Sequence, residues 1–529
     1  MAPDVRTATS ADAAERRRAS LALAVIVTGV LMTAVDTTIV VLALPDIERT
    51  LHVPLSGVIW VVISYLLVIT LLATQVGRLG DMFGRVRMYE AGFLVFVVGS
   101  ALCAVATSET TIIAYRVLQG VGGALITANS GAVIADTFPA ERRGRAYGFN
   151  GVGYNLGAIL GILLGGIIIT YVSWRWIFWI NVPTGLLAFG LAVKVLRGGT
   201  SGQRPRFDLG GMALLGTGLF GVLWAMTRLA TSSFSGTVAV ALAGGVVLLG
   251  ALGVVEGRRA APMLDVRLFR IPTVTPTLLA AMFQGLASFA VLFLVIMYLQ
   301  GVRDLSPLHA SLVLVPGYCI GGVAGPLGGR MADRFGAVWP ATIGLGIQTV
   351  ALVVYAQLGV HTPLWLVVVA AGANGIGASA FFPANSSVVM RAVPDDQFGI
   401  ASGLLRTFAN VGMVFSFTVA ILVAARSIPR GLAFAIFAGT THLSHHLGAT
   451  FTGGLHAAFY ASITFMALAA ALSATRVLGR HRVPAGATPP GPAGGPAGGA
   501  RRGRRRPGPG AGAAWRAGPW SACGPGGWR

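Results

Sequence analysis

The sequence predicts an all-α integral membrane protein with fourteen transmembrane helices, arranged as two six-helix bundles plus two extra central helices. Three observations support this fold class. Of the 529 residues, 55% are hydrophobic and only 11% are charged, whereas soluble proteins carry roughly 25% charged residues. Fourteen apolar runs are long enough to cross a bilayer. An eight-residue motif occurs once in each half of the chain.

The apolar runs must be helices, because lipid leaves no other partner for backbone amides and no barrel-like alternation is present. Six runs precede residue 200 and six follow residue 270, which leaves two runs between the halves. The predicted segments are therefore a cytoplasmic N-terminal segment (1–19), a first bundle (20–200), two linker helices (201–270), a second bundle (271–482) and a disordered Arg/Gly/Pro-rich cytoplasmic tail (483–529).

The positive charges predict the orientation. Of the 39 lysines and arginines, 31 fall on one side of the predicted helices, only six fall on the other, and two lie within helices. The positive-inside rule places both termini in the cytoplasm, and we expect the protein in the plasma membrane. The net charge of +21 does not indicate nucleic-acid binding, because most basic residues stand in short clusters between apolar runs.

The repeated motif reads GRLGDMFG at 77–84 and GRMADRFG at 329–336. Five of its eight positions are identical, at a constant offset of 252 residues. Both copies follow a predicted spanning helix on the same side of the membrane. Two related halves are common in secondary transporters, so the repeat predicts a transporter built from two equivalent bundles.

Two charged residues lie inside predicted helices and invite a functional interpretation. Asp36 is the only carboxylate deep in any predicted helix, where burying a charge costs several kcal/mol. Counting 1.5 Å per residue places Asp36 about 12 Å and Arg116 about 8 Å below the same surface. The depths agree within the error of the helix boundaries, so contact between the two side chains is possible.

The motifs resemble the major facilitator superfamily, in particular its fourteen-helix drug:proton antiporter branch. The resemblance rests on AVDTTIVVLALP at 34–45, GRLGDMFGRVR at 77–87 and RVLQGVGG at 116–123. It implies that Asp36 and Arg116 couple transport to protons, with Gln119 and Gly120 in the same helix-four motif. It also implies that the loop after helix two latches one conformation shut. The latch residues would be Gly77, Asp81, Gly84, Arg85, Arg87 and, in the second copy, Asp333.

Helix five carries a glycine series that resembles the antiporter motif of this branch. The series comprises Gly157, Gly161, Gly165 and Gly166. Gly148 precedes the series. The family pattern has proline directly after the glycine at 161, but Ile162 stands here, which removes an expected kink and weakens the specific assignment to an exporter. A glycine face for helix packing explains the series equally well.

The predicted function is proton-coupled export of small amphiphilic drugs or antibiotics by a monomer in the lipid bilayer. No P-loop is present, so we expect a proton gradient and no cofactor to drive transport. An importer or symporter of the same fold is an alternative, as is a membrane-anchored protein that binds lipid or nucleic acid through its basic tail. We expect no metal site: His442, His445 and His446 cluster in a loop without Cys or carboxylates. Arg406 is expected to snorkel to the membrane surface.

Overall fold

The computed structural model describes residues 5–53, 55–196, 208–231, 234–259, 266–393, 398–427 and 445–480. These residues are almost entirely helical, and the remaining regular segments are a 3₁₀ turn (Val266–Arg270) and a π turn (Tyr298–Val302). The helices of the first half are α1 (Val5–Leu51), α2 (Leu55–Phe83), α3 (Arg85–Ala104), α4 (Glu109–Thr137), α5 (Ala140–Tyr171), α6 (Trp176–Trp179) and α7 (Asn181–Val195). The others are α8 (Leu209–Thr231), α9 (Gly236–Arg258), α10 (Val274–Met297), α11 (Pro307–Phe335), α12 (Val338–Tyr355), α13 (Leu364–Ala392), α14 (Phe398–Ser427) and α15 (His445–Arg480).

By length and apolar composition, thirteen helical segments of the described residues can span a membrane. The two arms of α2, 57–73 and 75–83, supply a fourteenth if they form one span. The short α6 joins α7 in a single span, Trp176–Val195. The prediction of an all-helical protein with fourteen spans is therefore confirmed. The predicted tail at 483–529, together with His442, lies outside the described residues.

The two halves of the chain repeat one packing pattern. In the N-terminal bundle (α1–α7), α1 packs on α5, while α2 and α3 both pack on α4. In the C-terminal bundle (α10–α15), α10 packs on α14, while α11 and α12 both pack on α13. The bundles meet along two seams, α5 with α11 and α2 with α14. These seams are equivalent, because each joins the second helix of one bundle to the fifth helix of the other.

The bounds of two equivalent helices differ by the same 252 residues that separate the two loop motifs. Helices α2 and α11, which carry the loop motifs, begin at Leu55 and Pro307 and end at Phe83 and Phe335. The next residues, Gly84 and Gly336, have φ of 97° and 80°, which only glycine adopts readily. Glycine in the last place of each copy lets the chain break the helix and begin the next one at once. We call the end of each bundle at this break the loop-motif end and the opposite end the far end.

The two extra helices form a hairpin beside one seam. Gly218 and Gly221 of α8 lie against the backbone of α9 near Gly245, and an ion pair joins Asp208 to Arg259. Helix α8 packs on both α2 and α14. The hairpin therefore flanks the α2–α14 seam.

Candidate functional site

Asp36 and Arg116 meet inside the N-terminal bundle. Asp36, on α1, is fully buried, and Arg116, on α4, is 1% exposed. Arg116 Nη1 lies 2.7 Å from Asp36 Oδ2. The two side chains, whose contact the sequence indicated only as possible, therefore touch directly. The attraction within a buried ion pair offsets the cost of desolvation only if the remaining polar atoms of the pair also form hydrogen bonds.

The side chains around the pair supply those hydrogen bonds. Gln119 Nε2 donates to Asp36 Oδ1 at 2.7 Å, and its Oε1 accepts from Arg116 Nη1 at 2.7 Å. Arg116 and Gln119 stand three residues apart, so they share one face of α4. Arg116 Nε donates to the backbone oxygen of Val61 at 2.9 Å. The Tyr65 ring lies under the guanidinium, 4.1 Å from its carbon, where a cation–π contact is favourable.

Helices α3 and α7 contribute two residues that the sequence did not single out. Asn181 Nδ2, at the first position of α7, lies 3.4 Å from Asp36 Oδ1 and 3.1 Å from Ser100 Oγ. Ser100 in turn donates to the backbone oxygen of Phe178 at 2.8 Å. Asn181 stands in the aromatic stretch WRWIFWINVP at 174–183. A polar amide within this apolar stretch was the signal that could have identified it.

The geometry suits an ionised Asp36. Its Oδ1 accepts from Gln119 and Asn181, and its Oδ2 accepts from Arg116. A proton on the carboxyl group would cancel its charge and occupy one acceptor position, so Arg116 would lose its counter-charge. Because such a loss is expensive in a buried site, protonation of Asp36 would favour any rearrangement that gives Arg116 new partners.

Helix composition, two equivalent bundles and a buried acid–base pair together point to one family. Residues 26–416 match the Major Facilitator Superfamily, and a second, overlapping match covers 277–522. The chain belongs to the Major Facilitator Superfamily. This family is one of transporters, so the expectation that the protein is not an enzyme is confirmed.

Individual relatives in the superfamily carry different substrate names. The chain is 31% identical over 393 residues to the riboflavin transporter RibZ of Clostridioides difficile, which covers 74% of this chain and 85% of the relative. It is 29% identical over 405 residues to the tetracenomycin C resistance and export protein of Streptomyces glaucescens, covering 74% and 73%. A multidrug resistance protein and a multidrug transporter protein are also among its relatives. The resemblance to the drug-efflux branch is therefore confirmed.

Solved structures support the fold alone. A bacterial homologue of the human lysosomal transporter Spinster, in an inward-facing and occupied conformation, matches with a TM-score of 0.62. The two sequences are 16% identical, and the match covers 88% of this chain and 99% of the other. Because the sequence identity is so low, this match supports the fold and gives no information about the substrate.

The first copy of the loop motif forms an ion-pair network at the loop-motif end. Arg85 Nε lies 2.9 Å from Asp81 Oδ1, and Arg85 Nη1 lies 2.8 Å from Asp136 Oδ1 at the end of α4. All three side chains are about one-third exposed, so each pair contributes at most about 1 kcal/mol. Arg87 is exposed. The network ties α2 and α3 to α4, within one bundle.

The glycines of the predicted motifs differ in their surroundings. A side chain on Gly77 would meet open space. Gly120 lies against the backbone of Tyr65, with 3.0 Å from an added Cβ to the carbonyl oxygen. The Asp333 side chain lies outside the described residues, although its backbone is helical.

The glycines of α5 pack against two different partners. A Cβ on Gly157 would lie 2.5 Å from the backbone oxygen of Leu31 on α1. Gly161 faces Thr38 on α1, and Gly165 faces Ile39. Gly166 instead meets Ser311 of α11, across the bundle seam. The series therefore allows close approach on both sides of α5.

Ile162 occupies the position where the family pattern has proline. Its side chain is fully buried, and α5 runs as one helix from Ala140 to Tyr171. The residue therefore keeps the helix hydrogen bonds that a proline would remove.

Two arginines outside the predicted site contact neighbouring helices. Arg406 Nη1 donates to the backbone oxygen of Thr127 on α4, at 3.3 Å, and its snorkelling to the membrane surface stays a prediction. Arg476, which the charge count placed among the basic residues of the cytoplasmic side, is only 5% exposed within α15. It donates to Thr277 Oγ1 and Asn385 Oδ1, both at 3.0 Å. Sequence position cannot show which face of a helix meets a neighbouring helix.

No group of three or more His, Cys, Asp or Glu side chains able to hold a metal occurs among the residues that the structure describes. The side chains of His445 and His446 are outside this set.

Proposed function

We propose that this protein exports small amphiphilic drugs or antibiotics in exchange for protons, by alternating access. The Asp36–Arg116 pair carries the proposal, because it combines a titratable group with a counter-charge in a buried place. We assign proton binding to Asp36 and its control to Arg116. The proposed setting is a monomer in the plasma membrane with both termini in the cytoplasm, without a cofactor.

Alternating access gives the pair its role. Proton binding at Asp36 would release Arg116, and the bundles would then move about the two seams to expose the site to the other side. The Asp81–Arg85–Asp136 network would stabilise one of the two states.

Energetics favour neutral or singly charged substrates over dications. One proton entering the cell gains about 2.3 kcal/mol per 100 mV and about 1.4 kcal/mol per pH unit. The sum, about 3.7 kcal/mol, supports roughly a 400-fold gradient of a neutral solute. Exchange of one proton for one monocation moves no net charge, so only the pH contribution of about tenfold remains.

The relative named as a riboflavin transporter makes transport of riboflavin a second candidate, and its name states no direction. Both candidates can be tested in one assay. Purified protein in liposomes is offered riboflavin, tetracenomycin C, a monovalent cationic dye and a divalent bis-biguanide, with membrane potential and pH gradient imposed separately.

We expect proton-driven movement of one or more of the first three compounds, opposite to the proton flux, and none with Asp36→Asn. Movement of substrate in the same direction as the protons would favour the importer. Strong transport of the divalent compound alone would contradict the substrate class. Undiminished transport by the Asp36 variant would contradict the coupling site.

A further inference from the structure

Arg406 borders a space between the two bundles. It belongs to α14 of the C-terminal bundle, and its hydrogen-bond acceptor is the backbone oxygen of Thr127 on α4 of the N-terminal bundle. Thr127 stands ten residues before the end of α4, about 15 Å from that helix end at 1.5 Å per residue. The Arg406 side chain is exposed, yet it reaches across to the other bundle about three turns inside α4. It therefore faces a space between the bundles, which we call the cavity.

Two tyrosines of α5 also lie beside the space between the bundles. Tyr147 donates to the backbone oxygen of Gly131 on α4 at 2.9 Å and is an electrostatic neighbour of Arg406. Tyr154 stands two helical turns further along α5 and neighbours Tyr318 of α11 across the seam. Tyr147 and Tyr154 are both 45% exposed.

The cavity is closed toward the far end. The backbone N–H of Leu308 on α11 donates to Thr170 Oγ1 on α5 at 3.2 Å. Gly166 also lies against Ser311 there. Near the middle of the seam, a Cβ on Gly322 would lie 3.7 Å from Ile159. The tyrosines and Arg406 lie between these contacts and the loop-motif end.

The charge that this cavity offers is positive. Asp36 and Arg116 are 0% and 1% exposed and neutralise each other, so they present no charge to the cavity. Arg406 has five N–H donors, and among the described residues it donates to one backbone oxygen. Within the described part of the chain, no carboxylate lies within ion-pair distance of it.

We propose that the space between the bundles binds aromatic amphiphiles that carry an anionic oxygen group, a carboxylate or phenolate, with that group on Arg406. A guanidinium binds such oxygens in pairs, through strong charge-assisted hydrogen bonds. The tyrosine rings at 147 and 154 offer aromatic faces and edges to the apolar part of the ligand. The inference narrows the substrate class of the proposed exporter, but the binding itself needs no gradient.

The driving force agrees with this charge preference. Exchanging one entering proton for one leaving anion moves two charges across the potential. At 100 mV and one pH unit, the attainable gradient rises from roughly 400-fold for a neutral solute to about 10⁴-fold for a monoanion. A single proton taken up at Asp36 is thus used most effectively on anions.

Three fluorescent probes with one ring system and different heads test the proposal: pyrenebutyrate, pyrenebutanol and pyrenebutylamine. Their binding to detergent-purified protein is measured by fluorescence titration without any gradient. We expect wild-type protein to bind the carboxylate most tightly. Arg406→Gln should weaken the binding of the carboxylate on the order of 10- to 100-fold. It should change the affinity for the alcohol by less than about twofold.

The exposed Lys194→Gln variant removes an equal charge elsewhere and should bind all three probes as wild type does. Monodisperse elution and unchanged thermal unfolding identify folded variants. If Arg406→Gln does not fold, Arg406→Lys should still show weaker carboxylate binding.

Tightest binding of the amine by the wild type would overturn the proposal. An equal loss of affinity for all three probes in a folded Arg406 variant would also overturn it, because that result would show that Arg406 supports the structure and does not bind the anionic group. Since these titrations involve no transport, they can succeed while the export assay fails, and the reverse.

Discussion

The two bundles share a backbone plan and differ in their charges. Ser288 stands 252 residues after Asp36, Val368 after Arg116 and Ala371 after Gln119. Ser288 donates to Gln348 Oε1 at 3.0 Å, and Gln284 donates to the same oxygen at 3.0 Å. At these positions the first bundle has a buried ion pair, whereas the second has neutral amides and a hydroxyl group.

The loop motifs differ in the same way. The glycines with positive φ, Gly84 and Gly336, are present in both copies. Arg85, which pairs with two aspartates in the first copy, is replaced by the buried Ala337 in the second. Helix geometry is therefore shared between the halves, while the ion pairs at these equivalent positions lie, among the described side chains, in the N-terminal bundle.

The largest predicted effect breaks the charged pair. Arg116→Leu leaves Asp36 buried without its counter-charge and should destabilise the protein by about 3–5 kcal/mol. The double variant Asp36→Leu/Arg116→Leu should recover most of that stability, but it should not transport. Thermal unfolding in detergent together with vesicle transport measures both effects.

The C-terminal bundle supplies the controls for this test. Ser288→Ala removes one neutral hydrogen bond, and its cost should be about 0.5–1.5 kcal/mol. A double variant as unstable as the single Arg116 variant would show that packing, rather than charge pairing, dominates the site.

A smaller effect should appear equally in both halves. Gly84→Ala and Gly336→Ala force a side chain into a backbone region open almost only to glycine, at a cost of about 1–3 kcal/mol each. Gly77→Ala, in a helix with open space around it, should instead be neutral or slightly stabilising. The unfolding temperatures of the three variants test these expectations. A large difference between Gly84→Ala and Gly336→Ala would contradict the shared backbone plan.

The sequence predicts the fold better than it predicts the site. Apolar runs and the repeat give fourteen spans, because span length and backbone pairing in lipid are local requirements. Asp36 and Arg116 are found because charges in apolar runs are rare. Asn181 and Ser100 are missed because neutral polar residues are common in membrane helices and only tertiary packing shows which of them meet the carboxylate.

Arg406 illustrates the same limit from the other side. Its depth along α14 is readable from the sequence. Its hydrogen bond to the backbone of Thr127 on α4 depends instead on how the two bundles face each other.

A charge-displacement recording after a pH jump tests the central claim, that the proton site is Asp36 in the N-terminal bundle, most directly. Liposomes with the protein are adsorbed on a solid-supported membrane, and the pH is stepped without any substrate. Proton binding at a buried carboxylate should give a transient current in the wild type and in Ser288→Ala, and none in Asp36→Asn. A full transient in the Asp36 variant, in folded protein, would contradict the account.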